Sequence, residues 1–249
     1  MKKWFHQWVS PPHLYERADR YASVFFVLAM IGMLIALYGG LVLAPPDYQQ
    51  GDAFRIIYVH VPSAWLSMFA YAFMAGASLV ALVWRFSAAH AVAASIAPVG
   101  AVFTAMCLLT GSFWGKPMWG TWWEWDARMT SELVLLLIYL AYMALRSAFA
   151  EQAKADKAAA IFALIGVVNL PIIHYSVYWW NTLHQGATVS KIGKPSITWD
   201  MGWPLLVMTI AFMLFFGAVV LMRTRGELLS RDRRTKWVRE ILMPEGGSH

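Results

Sequence analysis

Residues 21–43 read YASVFFVLAMIGMLIALYGGLVL, a run without a single Asp, Glu, Lys or Arg. A helix of that length spans about 34 Å, enough to cross the roughly 30 Å of hydrocarbon in a bilayer. The run is continuously apolar rather than alternating, which selects helix over strand, because in lipid every backbone N–H and C=O must be satisfied within the segment. Five more predominantly apolar stretches follow, at about 56–84, 91–113, 128–145, 158–178 and 204–222. The expected fold is therefore all-α, an integral membrane bundle of six transmembrane helices making one domain over residues 1–249. The first stretch is expected to be retained rather than removed as a signal, since it exceeds a signal core and follows some twenty residues of polar lead.

The composition agrees. Apolar residues make up 59% of the chain and charged residues 14%, with a mean hydropathy of +0.52, against about 45–50% and 25% in soluble proteins. The 20 Lys and Arg then set the orientation. Fifteen fall in the amino tail, the turn at Arg85, the loop with Arg146, Lys154 and Lys157, and the basic tail 223–249. Five fall on the other side: Arg55, Lys116, Arg128, Lys191 and Lys194. The positive-inside rule puts both termini in the cytoplasm. Basic tails beside anionic lipid account for the pI near 9.5 without nucleic acid. The lone Cys107 excludes a disulfide framework and the CxxCH attachment of covalent haem. The chain has neither a P-loop nor a GxGxxG motif, and no enzymatic machinery is expected of it.

With that orientation the outer loops are 44–55, 114–127 and about 179–203, the second lying between helices 3 and 4. Nine of the 14 tryptophans lie in or beside them: Trp114, Trp119, Trp122, Trp123, Trp125, Trp179, Trp180, Trp199 and Trp203. An interfacial belt would populate both sides evenly. A tryptophan platform for a flat aromatic ligand explains the cluster in 114–127 better. Four indoles burying about 50 Å² each contribute roughly 5 kcal/mol before association costs, so something else must fix the ligand.

Histidine supplies it. His6, His13, His90 and His249 read as cytoplasmic or tail residues. His60 lies about 36 Å up its helix from Trp84, at the outer interface, and His184 lies in the third outer loop. His174, about 24 Å above Ala158, stays within the apolar layer and reads as a packing residue held in reserve. Each histidine taken singly reads as structural. Two of them at one membrane level, beside a tryptophan platform and without thiols, suit axial ligation of one porphyrin iron. Arg128 and Arg55, at outer helix ends, are positioned for the propionates. Arg55 reads equally as a headgroup-level stop, and Arg128 has a competing partner in Glu132, one turn on. Asp126 is expected to cap the fourth helix.

The segment Trp119-Gly120-Thr121-Trp122-Trp123-Glu124-Trp125-Asp126 resembles the WGxxWxWD signature of the haem-handling superfamily of cytochrome c biogenesis. The six-span chain with a single outer tryptophan loop is similar to the cytochrome c maturation protein C (CcmC) family. That resemblance implies that His60 and His184 are axial ligands of noncovalent haem b, and that Trp119, Trp123 and Trp125 form its platform, with Asp126 closing the motif; Trp122, at an unconstrained position of the motif, is a further candidate in the same loop. It further implies presentation of haem, on the periplasmic face of the bacterial inner membrane, to a membrane-anchored haem chaperone (CcmE). The implied partners are a small single-span subunit (CcmD) and an ABC-type membrane subunit (CcmB) with its ATPase (CcmA).

Two other classes make different demands. A b-type cytochrome serving quinone would hold haem deep between helices, where only His174 is clearly placed. A haem permease, the retained alternative, needs polar or broken helices near the midplane. Here Glu132, toward the outer end, is the nearest ionisable group, and Asn169 and Pro171 are the only other hints.

Overall fold

The computed structural model describes residues 10–180, 182–184 and 196–242. Lys2, Lys3, His6, Lys191, Lys194 and His249, all used in the sequence reading, lie outside the described residues. The first helix, α1 (Pro11–Tyr38), starts with proline at a position whose N–H would be unsatisfied anyway. It runs on as a π-turn over Gly39–Leu43 and ends ahead of Pro45 and Pro46. A 3₁₀ turn (Asp52–Ile56) leads into α2 (Ile57–Trp84). A tight reversal with Arg85 in the left-handed region (φ 56°) starts α3 (Ser87–Trp119). Then follow α4 (Ala127–Ser147), α5 (Gln152–Gly166), α6 (Asn169–Trp179), α7 (Trp199–Arg231) and the short α8 (Lys236–Leu242).

Six helical segments are long and apolar enough to cross a membrane: Pro11–Leu43, Asp52–Trp84, Ser87–Trp119, Ala127–Ser147, Gln152–Trp179 and Trp199–Arg231. The chain is a multi-pass membrane protein built entirely on helices among the described residues. Several boundaries differ from the sequence expectation: the first helix starts at Pro11 rather than 21, and the last long one covers Trp199–Arg231 rather than 204–222. Two further differences bear on the site. Helix α3 does not stop at 113 but continues six residues through Trp119, so half of the expected 114–127 loop is helical. Its stop is Gly120, left-handed at φ 78°, whose N–H donates to the Lys116 carbonyl at 3.1 Å. The fifth span is two helices, broken at 167–168 just before Pro171, which has no N–H to continue the ladder.

The core lies between α2, α3, α4 and α7. Leu66, Tyr71, Met74, Ile96, Leu135, Tyr139 and Met208 are almost wholly buried. The two tyrosine hydroxyls are satisfied inside the bundle: Tyr71 donates to the Ala163 carbonyl and Tyr139 to the Ser67 carbonyl, both at 2.9 Å. Helix α1 packs chiefly on α7 through a seam of small residues, Ala18, Ala22, Ala29 and Ala36, and leaves Leu34, Leu41 and Val42 exposed on its other side. At the end where α4 stops and α5 starts, Asp156 accepts from both ends of the Arg231 guanidinium at 2.6 and 2.8 Å. Glu227 accepts from Arg146 and Arg231 at 2.8 and 2.9 Å. Three helices are thereby tied at the end opposite the tryptophan loop.

Candidate functional site

The loop between α3 and α4 is held at both ends. Asp126 caps α4, its carboxylate accepting from the Met129 N–H at 2.8 Å, as its position before the helix implied. At the α3 end, Lys116 Nζ donates to the Gly120 carbonyl at 3.0 Å and lies 5.9 Å from the centre of the Trp122 ring. Within the loop, the Thr121 hydroxyl donates to the Trp123 carbonyl at 2.8 Å and accepts from the Trp123 N–H at 3.3 Å. Edge contacts of Trp122 on Phe113 (5.7 Å) and of Trp123 on Trp125 (5.3 Å) lock the ring orientations. Three of these indoles stay accessible, Trp119 at 40%, Trp122 at 52% and Trp125 at 74%, so the loop offers an apolar surface rather than a filled core.

Beneath the loop opens a cleft of about 690 Å³, counting its open mouth. Its rim carries Trp119, Trp122, Trp123 and His184, and its wall carries His60, Gly111, Arg128 and Glu132. The two histidines come from segments more than 120 positions apart, yet their ring centroids lie 6.3 Å apart. A metal–imidazole bond of about 2 Å puts two rings on opposite sides of one ion roughly 6 Å apart between centroids. The spacing and the donor type therefore fit a bis-imidazole metal centre carried by a planar macrocycle.

His60 is held firmly. It lies in the first turn of α2 and is only 7% exposed. Its Nδ1 is 3.0 Å from the Thr110 hydroxyl of α3. The Trp114 ring packs edge-on against it at 5.5 Å, and the Trp114 indole N–H donates to Gln50 Oε1 at 2.9 Å. Gly111 faces it so closely that a methyl there would sit 3.1 Å from His60 Cε1. His184 lies 6.4 Å from Trp119 between ring centroids, and its backbone N–H donates to the Thr182 hydroxyl at 3.1 Å.

The remaining sequence candidates divide. Trp125 packs on Trp123 but does not line the cleft. His174 is exposed, sits edge-on to Tyr175 at 4.7 Å and lies outside the lining. Arg55 also lies outside it: its Nε pairs with Asp52 at 2.9 Å and its Nη1 donates to the Gly40 carbonyl. A helix end leaves carbonyls without partners, and Arg55 satisfies one in the π-turn. Arg128 does line the cleft, but the expected Arg128–Glu132 pair is not formed. Arg128 Nη1 donates instead to the Ile173 carbonyl of α6 at 3.0 Å, and Glu132 Oε1 is buried without a partner. The order of the pair along the helix, cation before anion, is the weaker one, and α6 offers a nearer acceptor. Thr110, Gly111 and Leu183 were missed by the sequence reading. The first two carry no local motif, and their roles exist only once α2 and α3 are side by side.

Residues 4–239 match the family CcmC, described as Heme exporter protein C. The chain is 48% identical over 246 residues to Heme exporter protein C of Escherichia coli (strain K12), covering 99% of each. It is 46% identical over 241 residues to the protein of the same name from Haemophilus influenzae, covering 97% of this chain and 98% of that one. With Heme exporter protein C of Bradyrhizobium diazoefficiens it shares 52% identity over 206 residues, 83% of this chain and 78% of that one.

Proposed function

The chain belongs to the CcmC family, that of Heme exporter protein C, and from that premise we propose that it handles haem in cytochrome c biogenesis. In this reading it takes haem b as cargo, noncovalently, at the cleft beneath the tryptophan loop. His60 and His184 are the axial ligands. Trp119, Trp122 and Trp123 provide the surface on which the macrocycle lies, and the Arg128 guanidinium meets a propionate at the rim. The bound group supplies the iron. The chain's own work is to orient it, keep water from one face and leave an edge open to the outside. No acid–base group acts.

The cleft then faces the periplasm from the bacterial inner membrane, as the distribution of Lys and Arg supports. Haem passes to a membrane-anchored chaperone, within an assembly of a single-span subunit and an ABC-type membrane subunit with its ATPase. The observation that carries the reading is the 6.3 Å separation of the His60 and His184 rings at the mouth of a tryptophan-lined cleft. The test is the absorption spectrum of the purified chain loaded with haem. His60→Ala and His184→Ala abolish or shift the Soret band, whereas His174→Ala leaves it in place. A Soret band unchanged in both of the first two variants overturns the ligand assignment.

A further inference from the structure

Resting on that reading, we infer that Thr110 is the positioning residue that fixes the tautomer of His60, placing its ring proton on Nδ1 and leaving Nε2 as the ligating atom. The position of one hydroxyl proton decides the tautomer. Thr110 Oγ1 has three neighbours: the Met106 carbonyl at 2.6 Å, the Cys107 carbonyl at 3.2 Å and His60 Nδ1 at 3.0 Å. A hydroxyl carries one proton and can accept at its lone pairs. The 2.6 Å separation from Met106 is that of a short O–H···O bond, and threonines inside helices commonly donate to the carbonyl four residues back. With the proton committed there, Thr110 can only accept from His60, beside the Cys107 carbonyl, which is a second acceptor for the His60 ring N–H. Were His60 Nδ1 unprotonated, either the Met106 carbonyl or His60 Nδ1 would face the hydroxyl oxygen with no proton between them, and at 2.6 and 3.0 Å the opposed lone pairs repel.

The consequence reaches the ligand. A ring that donates through one nitrogen presents the lone pair of the other, and the hydrogen bond behind a metal-bound imidazole sets its orientation and raises its basicity. The donation also links the iron site to the α3 backbone at Met106, because the acceptor hydroxyl is itself held by that carbonyl. Thr110 touches neither the iron nor the macrocycle in this scheme. It acts through His60.

The first experiment needs no haem. The full chain, labelled with ¹⁵N at histidine and kept in lipid nanodiscs, is observed by nitrogen NMR, with the His60 signals identified by their loss in His60→Gln. The expected result is a protonated Nδ1 and an unprotonated Nε2 for His60. In Thr110→Val, which keeps the shape but not the acceptor, the Nε2–H tautomer gains population. Thr110→Ser restores the wild-type pattern. With haem added, Thr110→Val loses it about tenfold or more faster to apomyoglobin, within the 10–100-fold range for loss of a partner behind a metal-bound histidine. The reduction potential of the haem that remains rises, since a less basic imidazole favours ferrous iron. A wild-type His60 protonated on Nε2, or a Thr110→Val protein with unchanged tautomer and potential, overturns the inference while leaving haem binding by the wild type untouched. A wild-type chain that takes up no haem overturns the underlying reading instead, and the tautomer measurement still decides the inference.

Discussion

Replacing Gly111 with alanine sets two effects against each other. Gly111 lies inside the long helix α3 and faces His60 across the α2–α3 contact. A methyl there would lie 3.1 Å from His60 Cε1 and 3.7 Å from Nδ1. Carbon atoms in ordinary contact stay about 3.5–4.0 Å apart, so the imidazole must retreat by roughly 0.4 Å or more. Thr110 Oγ1, 3.0 Å from His60 Nδ1, and Trp114, edge-on at 5.5 Å, leave it little room on the other sides. Forcing the ring off its rotamer costs about 1 kcal/mol, and ligand distances in metal sites tolerate only about 0.2 Å. The expected loss of haem affinity is therefore roughly five- to tenfold. Helix propensity points the other way, since alanine is favoured over glycine in a helix interior by up to about 1 kcal/mol. Gly111→Ala is thus expected to unfold no lower than wild type in detergent, followed by circular dichroism, while apomyoglobin strips its haem faster. Gly76→Ala is the control: it sits in α2, where a methyl meets nothing within 4 Å, and should leave haem retention unchanged. Equal haem retention in Gly111→Ala and wild type would refute the claim that this glycine makes room for the imidazole.

Two further substitutions separate stability from the site. Asp126→Ala removes the cap of α4 and should cost about 1 kcal/mol, read as a lowered thermal midpoint together with faster proteolysis in 120–126. Asp156→Ala leaves Arg231 and Arg146 sharing Glu227 alone in a setting where the Asp156 and Arg231 side chains are 7% and 10% exposed. It should destabilise by about 3 kcal/mol yet leave the haem Soret band in place, because the cluster lies at the far end of the bundle.

The spans were legible because bilayer thickness dictates how much uninterrupted apolar chain each crossing requires. Residues 21–43 carry that signal without ambiguity. The boundary of α3 was not. Trp114, Gly115, Lys116 and Pro117 look like loop residues, yet the helix ends only where Gly120 can turn left-handed, and that glycine was the better marker. Pro171 gave fair warning of the broken fifth span. Among the candidate site residues, His60 and His184 were singled out by depth and type, and the structure brings their rings to 6.3 Å of each other. Depth alone does not predict the partners of Arg55 and Arg128. Both side chains reach backbone carbonyls, Gly40 and Ile173, that exist as acceptors only in the assembled bundle, and of the two only Arg128 also lines the cleft. Thr110 belongs to the same class, its partner being 50 positions away in the chain.

The alanine seam of α1 carries a consequence for biosynthesis. Its mate is α7, and the two helices approach so closely that a methyl on Gly32 would lie 3.0 Å from Ala211 Cβ. The ribosome delivers α1 first and α7 after more than 150 further residues. Until then Ala18, Ala22, Ala29 and Ala36 lack their mate on α7. The bundle is therefore closed by its last-made long helix, and a chain halted anywhere before Trp199 would leave its opening helix adrift in the bilayer.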